Sequence, residues 1–501
     1  MRGIKSVLSV SALFILAACG GGGGGGGDDT PPPAPPATNA APTVSAGNDA
    51  TATLPNAIVS LSGSATDDGP ASSLTYRWTA APEAGVTFSS QTSAATDVTF
   101  TTAGPYTLTL TASDGTLTGS DSVVVTVNAA GPPPVTVVWP ADDDDSDATF
   151  HGWAKVEAAT VGMTQGGLDA AEDVAVAVPT GVNAGSGMIV RHGQLVHLWG
   201  DIDQKLDMKS VTKSMGGVVL GLAIAQKGVL LTDTGIKYIP TFGTPPATNA
   251  TRAQLVTLGQ LATHTSGFQK ADGNFTAEIK FDPGTTWSYS DAGLNWLADV
   301  LTTVYQEDLA AVAQREVWSK IGLNPGNGTD DISWRANAHR LPAIRNGIQF
   351  RELASGINAN TNAMARVGLL FLRKGLWNGT QVLSEDFTLT RVRTPLPENG
   401  SLPVVPDKPG QLFPNAQSDY GVLWWTNKSK TMANVPADTF WAWGLGEELI
   451  VVIPSLDLVI VRNGGQSSTI TTGRTWNDVD WDGDVRVLEP FLNPIVAATT
   501  P

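Results

Sequence analysis

The stretch Met208–Gly228, MKSVTKSMGGVVLGLAIAQKG, decides how the larger part of this chain reads. Lys213 stands at the mouth of an apolar run with no further charge before Lys227. Met215 to Ala225 is apolar all round, the pattern of a helix buried on every side, and Gly228 falls where a helix C-cap belongs. Ser210 and Lys213 are three residues apart, so a helix entered here places both on one face of its first turn. A serine hydroxyl is a poor nucleophile until a neighbour takes its proton. Burial disfavours a lysine ammonium and moves it toward the neutral amine, a base. The backbone N–H groups of a helix start can meet a developing oxyanion. Among fourteen lysines this is the only Ser-x-x-Lys, yet about one such match is expected by chance in a chain of this size. The residues alone also fit Ser210 as an ordinary N-cap and Lys213 as a side chain reaching out of a core.

The surrounding sequence separates these readings. Upstream, GMIVRHGQLVHLWG (187–200) reads as strand, His-Gly turn, strand. Downstream come LGQLATHTSGF (258–268), FDPGTTWSYSDAGLNWLADVLT (281–302), RELASGINANTNAMARVGLLFLRKGLWNG (351–379) and FWAWGLGEELIVVIPSLDLVIVRNGG (440–465). The order and spacing of SVTKS, THTSG and PGTTWSYSDAG resemble the serine β-lactamase and penicillin-binding-protein superfamily, in its class C β-lactamase, family VIII esterase and 6-aminohexanoate-oligomer hydrolase branch. The likeness covers residues 151–495 and implies an α/β domain, an antiparallel sheet flanked by helices with a helical subdomain. It implies that Ser210 is the acylated nucleophile, that Lys213 assists its deprotonation, and that Tyr289 is base for Ser210 and acid for the leaving group. A phenol held beside an ammonium ionises more easily. By the same resemblance the oxyanion hole pairs the N–H of Ser210 with that of Leu445, in a register that can slip by one or two residues. His264 shapes a loop rather than acting as a base.

Two departures bear on function. The resemblance places Asn where this chain has Asp291; a carboxylate there could pin Lys213 as an ammonium and shift basic duty to Tyr289. No Lys-Thr-Gly box occurs, and Ala442-Trp443-Gly444 stands in its place. Without that lysine to hold a substrate carboxylate, a neutral ester or amide in a cleft lined by Trp441, Trp443, Gly444 and Asp291 fits better than an anionic β-lactam. Arg351, Arg373 and Arg462 are candidates for a replacement clamp. The expected function is a serine acyl hydrolase for esters or amides. The alternatives are a β-lactamase or DD-peptidase acting on cell-wall-type substrates, and a non-catalytic envelope binding protein. No Gly-x-Ser-x-Gly elbow supports an α/β-hydrolase.

The first 150 residues read differently. Residues 1–19 have a basic start and a short apolar stretch, too short to span a bilayer, ending in Leu16-Ala17-Ala18-Cys19. This resembles a bacterial lipoprotein signal and implies lipidation of Cys19, the sole cysteine, with a periplasmic or outer-membrane location. Residues 20–40 are a Gly/Pro-rich tether. Residues 41–128 alternate in short runs between turn signals, the pattern of a β-sandwich. SAGND (45–49), Tyr76-x-Trp78 and GPYTLTLTASDG (104–115) resemble a PKD-type, immunoglobulin-like module, a spacer or a unit that contacts glycan or protein. Residues 129–150 read as an acidic, Pro-rich linker. A net charge of −17 argues against nucleic acid as a partner. Catalysis of the expected kind requires no cofactor. Asp478, Asp480, Asp482 and Glu489 fit the spacing of a calcium loop, a possible structural Ca²⁺ site remote from Ser210. The plainer reading is an acidic turn before the C-terminal helix.

Overall fold

The computed structural model describes residues 39–54, 57–69, 74–128, 137–141, 150–177, 184–270, 276–323, 331–339, 342–396, 402–406, 413–446, 448–464 and 483–500. The chain forms two compact units, Met1–Pro133 and Pro134–Pro501.

The first unit is a β-sandwich. Alternating apolar and polar residues put every second side chain on one face. Ala95–Phe100 buries Thr96, Val98 and Phe100 and exposes the residues between. One sheet runs Ala50–Thr53, Thr118–Asn128, Gly104–Ser113, Thr75–Ala81; the other runs Ala57–Ser62, Ala95–Phe100, Val86–Phe88. Trp78, Leu108, Leu110, Val123 and Val125 are fully buried between them. The indole of Trp78 donates to the carbonyls of Ser93 and Ala94, both at 3.1 Å, so its one polar atom is satisfied inside the core.

The second unit is built on a six-stranded antiparallel sheet. Its strands are β1 (Ser186–Arg191), β2 (Gln194–Trp199), β3 (Trp425–Thr426), β4 (Phe440–Gly444), β5 (Glu448–Ile453) and β6 (Leu458–Asn463), in the order β2-β1-β6-β5-β4-β3. β1, β4, β5 and β6 are buried along their whole length. Helices cover both faces, so these strands read as continuous apolar runs instead of alternating ones. One face packs on α1 (Gln165–Ala175) and α6 (Glu489–Ala497) through Ile189, Leu449, Val451 and Ile460. The other packs on α2 (Val211–Gly216) and α5 (Thr361–Leu372) through Met188, Val190, Ile450 and Val459, and α3 (Val218–Lys227) and α4 (Asp291–Tyr305) extend the same core behind them. Gly368 lets α5 lie directly on the sheet: a Cβ there would stand 2.6 Å from Val459 Cγ1.

The stretch expected to be one buried helix is helical but forms two helices, α2 and α3, meeting at Gly217, with Ala225 exposed. Val211 to Ala223 is buried, and Gly228 closes the helix at φ 66°. The His-Gly turn between β1 and β2 uses left-handed backbone at both residues, φ 57° and 77°. The segment expected to be linker differs at its centre. Residues 137–141 pack on the second unit, with Trp139 against Trp377 at 5.1 Å and the Ala141 carbonyl accepting from the buried Arg366 guanidinium at 2.6 Å. An acidic, Pro-rich composition did not predict this, because the anchor is one tryptophan and backbone carbonyls. Cys19 and the aspartates Asp478, Asp480 and Asp482 lie outside the described residues. Of that acidic segment, Asp484 caps the Val485–Leu488 turn by accepting from the Arg486 N–H, and Glu489 opens α6. No helix among the described residues is long and apolar enough to cross a membrane.

Candidate active site

Ser210 is the residue before α2, and its hydroxyl makes no capping bond. It is therefore not the ordinary N-cap its position allows. Lys209, just before it, holds φ 44°, a left-handed conformation that costs a non-glycine residue about 1 kcal/mol or more. Asp207 supports that bend, accepting from the Lys209 N–H at 3.1 Å and its ammonium at 2.9 Å.

Lys213, 2 % exposed, points from the first turn of α2 into the site. Its ammonium donates to Ser210 Oγ at 3.0 Å and to the Ala354 carbonyl at 2.7 Å, and lies 2.8 Å from Asp291 Oδ1. A lysine ammonium has three N–H donors and no acceptor. Three oxygens surround it, one of them a carboxylate. Asp291 begins α4, where Ser290 is a true N-cap, its hydroxyl accepting from the Gly293 N–H at 3.0 Å. Asn295, one turn on, accepts from the N–H groups of Leu353 and Ala354 at 3.0 and 3.3 Å. One face of α4 thus supplies a carboxylate to Lys213 and fixes the turn that supplies its carbonyl. Asn295 and Ala354 were missed in the sequence, because neither spacing nor residue type marks a carbonyl that comes from another part of the chain.

Tyr289 stands beside the pair, its ring centroid 4.9 Å from Lys213 Nζ. His264 stacks on the ring at 4.2 Å and Phe413 lies parallel to it at 5.9 Å. The fully buried His264 grips both sides of the tyrosine: its carbonyl accepts from the Ser288 N–H at 2.9 Å and its Nδ1 from the Ser290 N–H at 3.0 Å. Burial, with the Lys213 and Lys270 ammoniums nearby, pushes the imidazole well below the usual histidine range. A neutral ring that accepts at Nδ1 carries its proton at Nε2. His264 is therefore a positioning residue.

β4 ends against Ser210. A Cβ on Gly444 would lie 2.6 Å from the Met208 carbonyl and 3.3 Å from Ser210 N, so only glycine leaves room between the strand end and the start of α2. Leu445 follows in the turn, its side chain 44 % exposed. Three sequence expectations are corrected here. Trp441 is fully buried, stacked on Trp425 at 6.4 Å, and Trp443 meets the same ring edge-on at 6.1 Å. Residues two apart on a strand share a face, and both tryptophans fall on the α1/α6 face, in the core and not along a cleft. Asp291 is engaged with Lys213 instead of presented to a substrate. The arginines nominated as a clamp are occupied as well: Arg351 pairs with Asp308, Arg373 with Asp457, and Arg462 is buried on the Ala175 carbonyl.

The Beta-lactamase family model matches residues 174–469, and a PKD-domain model matches residues 46–127. No curated protein matches the chain. Solved structures with a similar fold include a β-lactamase/D-alanine carboxypeptidase from Yersinia pestis, at 16% identity over 65% of this chain and 96% of that one, TM-score 0.45. A penicillin-binding-protein homologue from Caulobacter crescentus has 12% identity over 63% and 92%, TM-score 0.46. A family VIII carboxylesterase has 16% identity over 62% and 91%, TM-score 0.43. These structural likenesses are too distant to carry an activity. The family model spans more than half of the chain, and the chain belongs to the Beta-lactamase family of serine hydrolases, with a PKD-like domain ahead of the hydrolase unit.

Proposed function

We propose that the protein is a serine acyl hydrolase that forms an acyl-enzyme on Ser210 and acts on carboxylic esters or amides. The observation that carries this reading is the arrangement of Lys213, which donates to Ser210 Oγ and the Ala354 carbonyl and forms an ion pair with the Asp291 carboxylate. An ammonium so engaged has no lone pair for proton abstraction, so we assign it an electrostatic role. Tyr289 takes the Ser210 proton as its phenolate, which the adjacent ammonium stabilises. Ser210 Oγ attacks the carbonyl carbon. The oxyanion is met by the Ser210 N–H and an N–H at the end of β4, at Leu445, for which Gly444 leaves space. Collapse expels the leaving group with the proton held by Tyr289, and water then attacks the acyl-enzyme by the same route. Every group in this scheme is protein.

A β-lactamase or DD-peptidase reading draws on the family and would need a cation for the substrate carboxylate that the Ala442-Trp443-Gly444 stretch does not supply. For the N-terminal region we propose lipidation of Cys19 and a bacterial envelope location, supported by the Leu16-Ala17-Ala18-Cys19 sequence. The PKD-like unit would act there as a spacer or as a contact for glycan or protein. A Ca²⁺ on Asp478, Asp480, Asp482 and Glu489 is proposed on spacing alone.

Short p-nitrophenyl esters, nitrocefin and a linear amide oligomer, each assayed with wild type and Ser210→Ala, test the proposal. Turnover with a covalent mass increment on Ser210 is expected for the ester or the amide. Nitrocefin as the sole substrate would favour the β-lactamase reading. Turnover that survives Ser210→Ala, or no turnover and no labelling of Ser210 by a fluorophosphonate, would sink both.

A further inference from the structure

Among the described residues, four cations lie on or next to the segments that carry Ser210 and Tyr289, and three are paired with carboxylates. Lys213 is paired with Asp291, Lys209 with Asp207 at 2.9 Å, and Arg335 with Asp207 and Glu352, each at 3.0 Å. The fourth, Lys270, has no carboxylate in ion-pair range among the described residues. Its ammonium lies 5.6 Å from the centroid of the Tyr289 ring, the same ring that Lys213 approaches at 4.9 Å. Lys270 is half-buried, and its place is fixed by backbone. Its carbonyl accepts from the Ala292 N–H at 3.3 Å, and the preceding Gln269 carbonyl accepts from the Ser290 hydroxyl at 2.9 Å. The residue is thereby tied to the turn that carries Tyr289, Ser290 and Asp291.

An ammonium partly withdrawn from water, resting on an aromatic face, gains a modest cation–π attraction. That contact uses none of its three N–H donors. Asp207 and Asp291 are already taken by other cations, and the buried Glu448 carboxylate lies on the Gly444 side of Ser210 and is not paired with Lys270. In a chain of net charge −17 the wider surface offers anions no attraction. A positive group beside the Tyr289 ring with no carboxylate in range among the described residues is therefore a selective feature.

We propose that Lys270 binds a carboxylate carried by the substrate, so that the preferred substrates are anionic esters or amides. The inference rests on the hydrolase reading and names its substrate class. It differs from the sequence expectation of a neutral substrate, which followed from the missing Lys-Thr-Gly box. The cation comes instead from the segment just after Thr263-His264-Thr265-Ser266-Gly267. Lysine presents a point charge, not a two-pronged fork, so the contact constrains where the carboxylate lies more than how it is turned.

Two ester pairs test this, one with the carboxylate in the acyl half (mono-4-nitrophenyl succinate against 4-nitrophenyl butyrate) and one with it in the leaving half (4-acetoxybenzoate against phenyl acetate). The quantity read is the ratio of kcat/KM for the anionic member to that for the neutral member. For at least one pair, Lys270→Ala should lower that ratio roughly 10- to 100-fold, the worth of a hydrogen bond between charged groups, and Lys270→Arg should restore most of it. Ratios that stay constant in both pairs overturn the proposal. Calorimetric titration of mono-4-nitrophenyl succinate and 4-acetoxybenzoate into Ser210→Ala, with and without Lys270→Ala, reads the same contact without turnover. Binding that weakens with Lys270→Ala in a protein that hydrolyses nothing keeps the anion site and discards the hydrolase. Ser210-dependent hydrolysis indifferent to the charge at 270 does the reverse.

Discussion

Asp291→Ala is the sharpest test of how the site holds its lysine. At 2.8 Å and an effective dielectric constant near 20, the attraction between Lys213 and Asp291 is about 6 kcal/mol before desolvation. Much of that offsets the cost of withdrawing both charges from water, as the lysine is 2 % and the aspartate 17 % exposed. Truncating the aspartate leaves the ammonium inside with two neutral acceptors, Ser210 Oγ and the Ala354 carbonyl. Removing one partner of such a pair costs about 3–5 kcal/mol. Asp291→Asn keeps an oxygen facing the ammonium and should cost about 1–2 kcal/mol. Urea unfolding followed by tryptophan fluorescence measures both, since fourteen of the fifteen tryptophans lie beyond residue 133 and report on the hydrolase unit. Lower midpoints at constant slope are expected, in the order Asp291→Ala below Asp291→Asn below wild type. Asp291→Asn should also keep kcat/KM within about tenfold of wild type, because the ammonium remains and Tyr289 is untouched. Two results would refute the reasoning. One is an Asp291→Ala protein within about 1 kcal/mol of wild type. The other is a gain of more than about tenfold in kcat/KM with Asp291→Asn, since freeing the lysine would then have supplied the missing base.

Tyr289→Phe keeps the ring that stacks on His264 and Phe413, so folding should persist while kcat/KM falls about 10²- to 10⁴-fold; a stable variant with near wild-type turnover would remove the tyrosine from the mechanism. Gly444→Ala puts a methyl group 2.6 Å from the Met208 carbonyl and 3.3 Å from Ser210 N, and the rate of Ser210 acylation, followed by burst kinetics or probe labelling, should drop about 10²-fold or more. His264 gives a pH signature. Its pKa is depressed in the folded state, so the unfolded chain binds the proton first. The contribution of this group is complete above the unfolded value of about 6.5 and is lost at about 1.4 kcal/mol per pH unit as pH falls below it. Unfolding free energies at pH 7.5, 6.5 and 5.5 should fall faster for wild type than for His264→Gln, and parallel pH curves would contradict the burial argument.

Much of this molecule is legible along the chain because its signals are local. Alternation marked the sandwich strands, the all-apolar run after Lys213 marked buried helical structure, and the left-handed turn at His192-Gly193 closed the hairpin where its dipeptide sits. The proposed catalytic trio could be nominated because Ser210 and Lys213 share one helical turn and Tyr289 lies in a short ordered motif. The tryptophans of β4 misled for an equally physical reason. A run of aromatic residues on a strand buried on both faces has the same composition whether it fills a core or lines a cleft, and only packing on Trp425 within a buried cluster assigns it to the core.

Sequence by itself determined the two-unit architecture and the residue types available for acyl transfer, since both depend on periodicity and near-neighbour spacing. It also raised, at Asp291, the question of which residue is the base. Tertiary structure alone decided how Lys213 is surrounded, because its three acceptors come from positions 210, 291 and 354. The fate of the nominated arginines, and the placing of Lys270 beside Tyr289 with no carboxylate in range among the described residues, were decided in the same way. Charge compensation is a property of distance in space, and chain separation does not record it.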